Sequence, residues 1–316
     1  MSEMTEKDLK DINMPIPVRP VRPRRSVLYV PANNERALQK SLQLPCDAVI
    51  YDLEDAVLPE HKDVARETLR RFFLKNFPDG ISQNSKERLI RINSMSSPWG
   101  QEDLLAACAI MPSAIVIPKV SEVDDIIEIN DALIEMDTPP HLRLWAMIET
   151  ARGILNVSSL ARYARTPGTR LDCFVAGTND LVKETGVSPV SGRMYLANWL
   201  SQIVLSARAY GLDIIDGVYN DFKDLEGFQT QCFDGNAMGF DGKSLIHPAQ
   251  IDIANQHFGL SPVELDEARA IIAEFNEPEH SKAGVIQMDG KMVERLHLEM
   301  AEKLVAKADL IKQLET

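Results

Sequence analysis

Eight short apolar runs, each followed by a helical stretch, constrain this chain more than any other feature. The runs are Ser26–Val30, Asp47–Leu53, Arg88–Ile92, Ala114–Ile117, Leu142–Ile148, Leu171–Ala176, Leu212–Val218 and Gly242–Ile246. The helical stretches between and after them are Asn34–Leu44, His61–Lys75, Pro98 through Ile110, Glu122–Met136, Gly153–Ala164, Ser191–Tyr210, Lys223–Met238 and Pro248–His257. Runs this short, without polar alternation, mark strands buried on both faces. Strict alternation of strand and helix implies a parallel sheet. Eight such units suit closure into a barrel. The open doubly wound sheet is the alternative, but its GxGxxG fingerprint is missing after the first run. The fold class expected is therefore α/β, a (β/α)8 TIM barrel.

The ends of the chain do not follow the barrel pattern. Residues 1–23 carry Pro15, Pro17, Pro20 and Pro23, a spacing that forbids helix and predicts a flexible leader. The barrel is expected over 24–260. Residues 261–316 predict a helix over Pro262–Phe275, a hairpin turn at Asp289-Gly290, and a last amphipathic helix over Val293–Leu314. This tail is a packing appendage or a C-terminal helical lid.

Charge and motifs exclude several functions. The 316 residues carry a net charge of −13, which opposes general nucleic-acid binding. One local exception is the acid-free stretch Ile12–Asn34 with Arg19, Arg22, Arg24 and Arg25, either a solvated arm or a phosphate site. The scattered Cys46, Cys108, Cys173 and Cys232 read as reduced thiols, and no apolar run is long enough to span a bilayer, so a cytoplasmic protein without membrane contact is expected. HExxH, GxSxG and P-loop patterns are all missing.

In a parallel barrel the chemistry sits where the strands end. Read in that way, the runs end on Asp52, Glu54 and Asp55; Arg91 and Asn93; Lys119; Glu149; Gly177, Thr178, Asn179 and Asp180; Asp216; and His247. Several acids, one arginine and one lysine thus converge on one rim. Gathered carboxylates repel unless a cation joins them, and a hard divalent ion such as Mg2+ takes one or two carboxylates plus substrate oxygens. Such an ion acts as a Lewis acid on a 2-oxo or 2-hydroxy carboxylate, whose carboxylate the arginine can grip bidentately. The alternative for any single acid is an ion pair bracing a loop. His247 before Pro248 reads as a loop-orienting residue, and Lys119 as a carboxylate partner.

Eight sequence blocks, in order, extend this reading: RRSVLYVPANN, DAVIYDLEDAV, RINSMSSPWG, VIPKV, MIETARGILN, AGTNDL, GKSLIHPAQI and DGKMVERLH. Together they resemble the citrate lyase β-subunit-like branch of the HpcH/HpaI aldolase superfamily, which holds malyl-CoA, citramalyl-CoA and citryl-CoA lyases. The resemblance runs from about Arg24 to Leu304. It implies a Mg2+-dependent carbon–carbon lyase that splits a short 3-hydroxyacyl-CoA thioester into acetyl-CoA and a 2-oxo acid. It implies metal ligands at Glu149 and Asp180, a substrate arginine at Arg91, and acids at Glu54 and Asp55 that hold metal-bound water or neighbouring groups. It further implies a CoA contact at Arg25, substrate contacts at Gly177 and Thr178, and a homo-oligomer, a trimer or a hexamer of trimers, in which the lid completes a neighbour's site. One departure stands out: many members carry a catalytic Asp in a GKM-x-D pattern, and here that place is Glu294.

Other readings of the same scaffold are a citrate lyase subunit acting on an acyl-carrier-protein thioester, a CoA-independent 2-oxo acid aldolase, and a thioesterase. The residues do not separate pyruvate, oxaloacetate and glyoxylate as the 2-oxo product.

Overall fold

The computed structural model describes residues 21–82, 85–188, 193–280, 283–288 and 290–314. Most of the Pro-rich leader, Arg19 and Asp289 lie outside them. The chain divides into two compact units, one holding Arg24–His257 and the other Phe258–Thr316.

The first unit is a closed parallel barrel of β1 (Ser26–Pro31), β2 (Ala48–Asp52), β3 (Glu87–Arg91), β4 (Ala114–Ile117), β5 (Arg143–Ile148), β6 (Leu171–Ala176), β7 (Asp213–Asp216) and β8 (Gly242–Leu245). Its helices are α1 (Glu35–Ser41), α2 (Lys62–Asn76), α3 (Gly100–Ile110), α4 (Val123–Glu135), α5 (Ala151–Tyr163), α6 (Thr178–Thr185), α7 (Ala197–Tyr210), α8 (Leu225–Met238) and α9 (Ile251–His257). Closure comes from β8 pairing with β1, Ser26 opposite Lys243 and Leu28 opposite Leu245. Two differences from the sequence reading follow from local chemistry. Helix α6 begins immediately after β6, so Asn179 and Asp180, read as residues closing the sixth run, stand in a helical first turn. The stretch from Pro248 opens as a 3-10 turn before α9, capped by His247, whose ring nitrogen accepts from Ala249 N–H.

The strands are buried on both faces because alternate residues serve two cores. Val27, Ala48, Ile50, Leu89, Ala114, Val116, Trp145, Met147, Cys173, Val175 and Ile215 pack together inside the barrel. The residues between them face the helices. This period of two carries polar groups to the same interior at the strand ends: Asp52 follows Ile50, Arg91 follows Leu89, and Glu149 follows Met147.

The N-terminal end of the barrel is plugged by charge. Arg24 donates to both oxygens of Glu87 at 2.9 and 2.7 Å, to Asp172 at 2.6 Å and to Asp213 at 2.7 Å, with its guanidinium over Trp145. Gly242, at the start of β8, lets this strand approach: a Cβ there would stand 1.7 Å from the Arg24 carbonyl oxygen.

The second unit holds α10 (Pro262–Asn276), the antiparallel strands β9 (Val285–Met288) and β10 (Lys291–Glu294), and α11 (Arg295–Leu314). The expected turn is present as a hairpin with Gly290 at φ 78°. The expected helix from Val293 starts later. Val293 pairs with Ile286 across the hairpin, and both pack with Phe275 in a small core. Glu294 is consequently the last residue of β10 rather than a first-turn helical acid. Among the described residues, no helix is long and apolar enough to cross a membrane.

Candidate active site

A cavity of about 410 Å³ opens at the C-terminal ends of the strands. Tyr29, Asp52, Asp55, Arg91, Glu149 and Asp180 give it its polar and charged character, and Gly177, Thr178 and Asn179 form part of its wall. Met147, Ala176, Val218 and Ile246 supply apolar surface.

Arg91 is fixed before any ligand arrives. Its Nε and Nη2 donate to the two oxygens of Asp52 at 2.8 and 2.6 Å, a bidentate pair. Asp52 also accepts from the backbone N–H groups of Glu54 and Ala56. Burial pushes the Asp52 carboxyl up, but Arg91 and these donors outweigh it and hold the carboxyl below its usual range. The Arg91 guanidinium lies 4.9 Å from the Tyr29 ring centroid, and Nη1 stands 2.9 Å from Glu54 Oε2. That last contact is an ion pair only, because Glu54 Oε2 accepts no hydrogen bond. Glu54 Oε1 accepts from the Lys119 ammonium. Burial raises the Glu54 carboxyl above its usual range despite both cations.

Glu149 is buried and has no cationic partner at ion-pair distance among the described residues; its Oε1 accepts 2.8 Å from the Lys119 backbone N–H. Burial first, then the charge of Glu54, pushes its carboxyl up to about 8, with Asp180 adding to the rise and Arg91 opposing it. Gly177 makes room for it: a Cβ there would come within 2.4 Å of Glu149 Oε2. Asp180, in the first turn of α6, is half-buried on the same cavity and likewise has no ion-pair partner among the described residues.

These features fit a divalent cation. The carboxylates of Asp52, Glu54, Asp55, Glu149 and Asp180 outnumber the nearby Arg91, Lys119 and Lys62, and Lys62 is spent on the carbonyls of Leu53 and Glu54 and on Asn93. Three of these acids, Asp55, Glu149 and Asp180, line one cavity without a cation at ion-pair distance among the described residues. No group of three or more His, Cys, Asp or Glu among the described residues could hold a metal unaided. Mg2+ needs no such cage, since it keeps waters and substrate oxygens around one or two carboxylates.

The structure thus gathers Asp55, Arg91, Glu149, Gly177, Thr178 and Asp180 around one cavity, with Glu54 against Arg91 beside it. It does not bring Arg25 there. Arg25 precedes β1, at the opposite end of the barrel, where its backbone and guanidinium donate to Asp47 at 2.8 to 2.9 Å. The CoA contact expected at Arg25 thus has no place at this cavity. Asp216 also stays out of the cavity: next to the inward Ile215 it faces the helix layer, pairing with the fully buried Lys243 at 2.8 Å and with Arg193. Glu294 lies in the second unit. Asp52 was visible as a strand-end acid, but its part as the clamp on Arg91 shows only in the bidentate geometry.

A model of the HpcH/HpaI aldolase/citrate lyase family matches residues 25–248. The chain belongs to this family of enzymes. It is 45% identical over 289 residues to a (3S)-malyl-CoA thioesterase of Cereibacter sphaeroides, covering 92% of this chain and 96% of that protein. It is 33% identical to the human mitochondrial citramalyl-CoA lyase, covering 92% of this chain and 87% of that one. Among solved structures, the protein CitE of Mycobacterium tuberculosis in complex with magnesium, acetoacetate and coenzyme A matches with a TM-score of 0.68 and 27% identity, over 90% of this chain and 97% of that one.

Proposed function

We propose that this member of the family is a Mg2+-dependent enzyme that binds a short malyl-type 3-hydroxyacyl-CoA at the barrel mouth and hydrolyses its thioester. The observation that carries the reading is the 45% identity, nearly end to end, with a relative named (3S)-malyl-CoA thioesterase. Support for the metal comes from Glu149 and Asp180, two carboxylates without cationic partners on one cavity, and from the magnesium in the related structure.

Glu149 and Asp180 hold the ion from the ends of neighbouring strands. Bound there, Mg2+ supplies Lewis acidity toward the hydroxyl and carboxylate oxygens of the acyl group. Arg91, set by Asp52, pairs with the substrate carboxylate and orients it. Gly177 and Thr178 form the wall against which the acyl group lies. Glu54 and Asp55 are the barrel acids available to take and return a proton, and burial raises the Glu54 carboxyl above its usual range, which favours its holding one. Glu294 enters as the counterpart of the family's catalytic Asp. Assembly into trimers belongs to the same proposal.

A second reading, carbon–carbon cleavage, is favoured by a specific observation. Ser244, which lines the cavity, is turned away from nucleophilic duty: its hydroxyl donates to the Asp216 carbonyl at 2.8 Å, and no hydrogen bond among the described residues joins it to a base. In cleavage a carboxylate removes the hydroxyl proton and the carbon–carbon bond breaks. Its electrons pass into the thioester as an enolate, and protonation of that enolate gives acetyl-CoA beside the 2-oxo acid.

Product analysis decides between them. Purified chain with Mg2+ and (3S)-malyl-CoA should release free CoA thiol and malate. Acetyl-CoA and glyoxylate without free thiol would establish the lyase instead. Glu149→Ala and Asp180→Ala should each lose at least about 100-fold in turnover, in the range of removing a key electrostatic group; near-normal turnover in either would sink the chelation model.

A further inference from the structure

Among the described residues other than glycine, Met111, Lys119 and Asp137 have positive φ, at 56°, 54° and 52°. Met111 caps α3, and Asp137 follows the cap of α4; a left-handed residue is an ordinary way to end a helix. Lys119 ends no helix. It stands two residues beyond β4, where a side-chain-bearing residue adopts this conformation only at a cost the surroundings must offset.

The turn gives Lys119 two reaches at once. Its backbone N–H meets Glu149 Oε1 at 2.8 Å, and its ammonium meets Glu54 Oε1. The segment is fastened beside that contact. Ser121 Oγ and Thr150 Oγ1 share a hydrogen bond of 2.8 Å, and Asn156 donates to the Ser121 carbonyl at 2.9 Å. The Val120 carbonyl packs so closely on Gly153 that a Cβ there would stand 2.5 Å away. The β4–α4 connection is therefore clamped to the first turns of α5, directly behind Glu149.

We infer that Lys119 is a positioning residue for the metal site, its left-handed backbone presetting the Glu149 carboxylate while its ammonium restrains Glu54. The inference rests on the metal reading proposed above. With Oε1 held by the N–H and Gly177 leaving space at Oε2, the second oxygen is oriented before the ion arrives. A preset ligand needs less ordering on binding, which tightens binding.

Magnesium titrated calorimetrically into the metal-free full chain tests this, with circular dichroism confirming that each variant is folded. Lys119→Gly keeps the N–H and suits the left-handed turn while deleting the ammonium. Lys119→Val places a β-branched residue where positive φ is least tolerated, so the N–H swings away from Glu149. Lys119→Ala imposes a milder form of the same strain and serves should the valine variant not fold. The expected Kd for Mg2+ rises tenfold or more in Lys119→Val, several-fold in Lys119→Ala, and less than threefold in Lys119→Gly. Wild-type Kd values in both Lys119→Val and Lys119→Ala would overturn the positioning role and leave the metal site standing. A wild-type chain that binds no Mg2+ would overturn both.

Discussion

Arg91 depends on Asp52 for its direction, and the dependence is measurable. Two N–H groups are spent on Asp52, which leaves Nη1 facing Glu54 and Met147. Lysine carries the same charge on a single point and cannot bridge both oxygens while reaching a substrate. Charged hydrogen bonds contribute about 1.5–3 kcal/mol, and each 1.4 kcal/mol is tenfold in rate. Arg91→Lys should therefore lower kcat/KM by roughly 10- to 100-fold, with unfolding by denaturant showing the fold retained. The residues of this site were legible to the extent that strand ends are legible. Arg91 and Glu149 close apolar runs, and a run of alternate inward residues can only end at the mouth. Arg25 was grouped with the site by its family block alone, whereas a residue before β1 lies at the far end of a parallel barrel. The Asp52 clamp was not legible, since no sequence pattern distinguishes an acid that grips an arginine from one that grips a metal.

At the level of elements, the strands could be read because burial on both faces leaves their middles mostly apolar, and β4 and β6 match the apolar runs residue for residue. Helix α6 was missed because Thr178, Asn179 and Asp180 have turn-like chemistry and apolar periodicity is weak over eight residues. The last two residues of β10, Val293 and Glu294, were read as helix because Val293 has the same apolar character whether it starts a helix or pairs across a hairpin. Only the partner, Ile286, distinguishes them. The closure of the barrel rests on a feature that apolar patterning does not show at all, the contact of Gly242 with the Arg24 backbone. Gly242→Ala would push β8 away from β1 where the sheet closes. Overpacking typically costs 1–3 kcal/mol. With backbone rather than a flexible side chain in the way, Gly242→Ala should destabilise the protein by about 3 kcal/mol in urea unfolding. A loss below about 1 kcal/mol would mean that β8 closes the barrel some other way.

For the whole molecule, the acidity of the chain and the design of the barrel mouth meet in one pH dependence. Folding buries Glu149 and sets it near Glu54 and Asp180, and its carboxyl moves up to about 8 from an ordinary 4.5. Between those values the folded metal-free chain holds a proton that the unfolded chain has released. Stability contributed by this group is thus complete below about 4.5 and declines as pH rises toward 8. At 1.36 kcal/mol per unit, the loss is on the order of 5 kcal/mol. A divalent cation reverses the balance, because it favours the ionised carboxylate and displaces the proton. The metal-free chain should therefore melt at progressively lower temperature from pH 5 to pH 8. Glu149→Gln, which has no charge to bury, should flatten that slope. Mg2+ should raise the wild-type Tm more at pH 8 than at pH 5.5 and leave the Gln variant nearly unmoved. Calorimetric scans of both proteins, with and without Mg2+, measure all three effects. A wild-type chain whose Tm holds level from pH 5 to 8 without metal would show that Glu149 is ionised through some other compensation, and the carboxylate excess at the barrel mouth would then not be what calls for a cation.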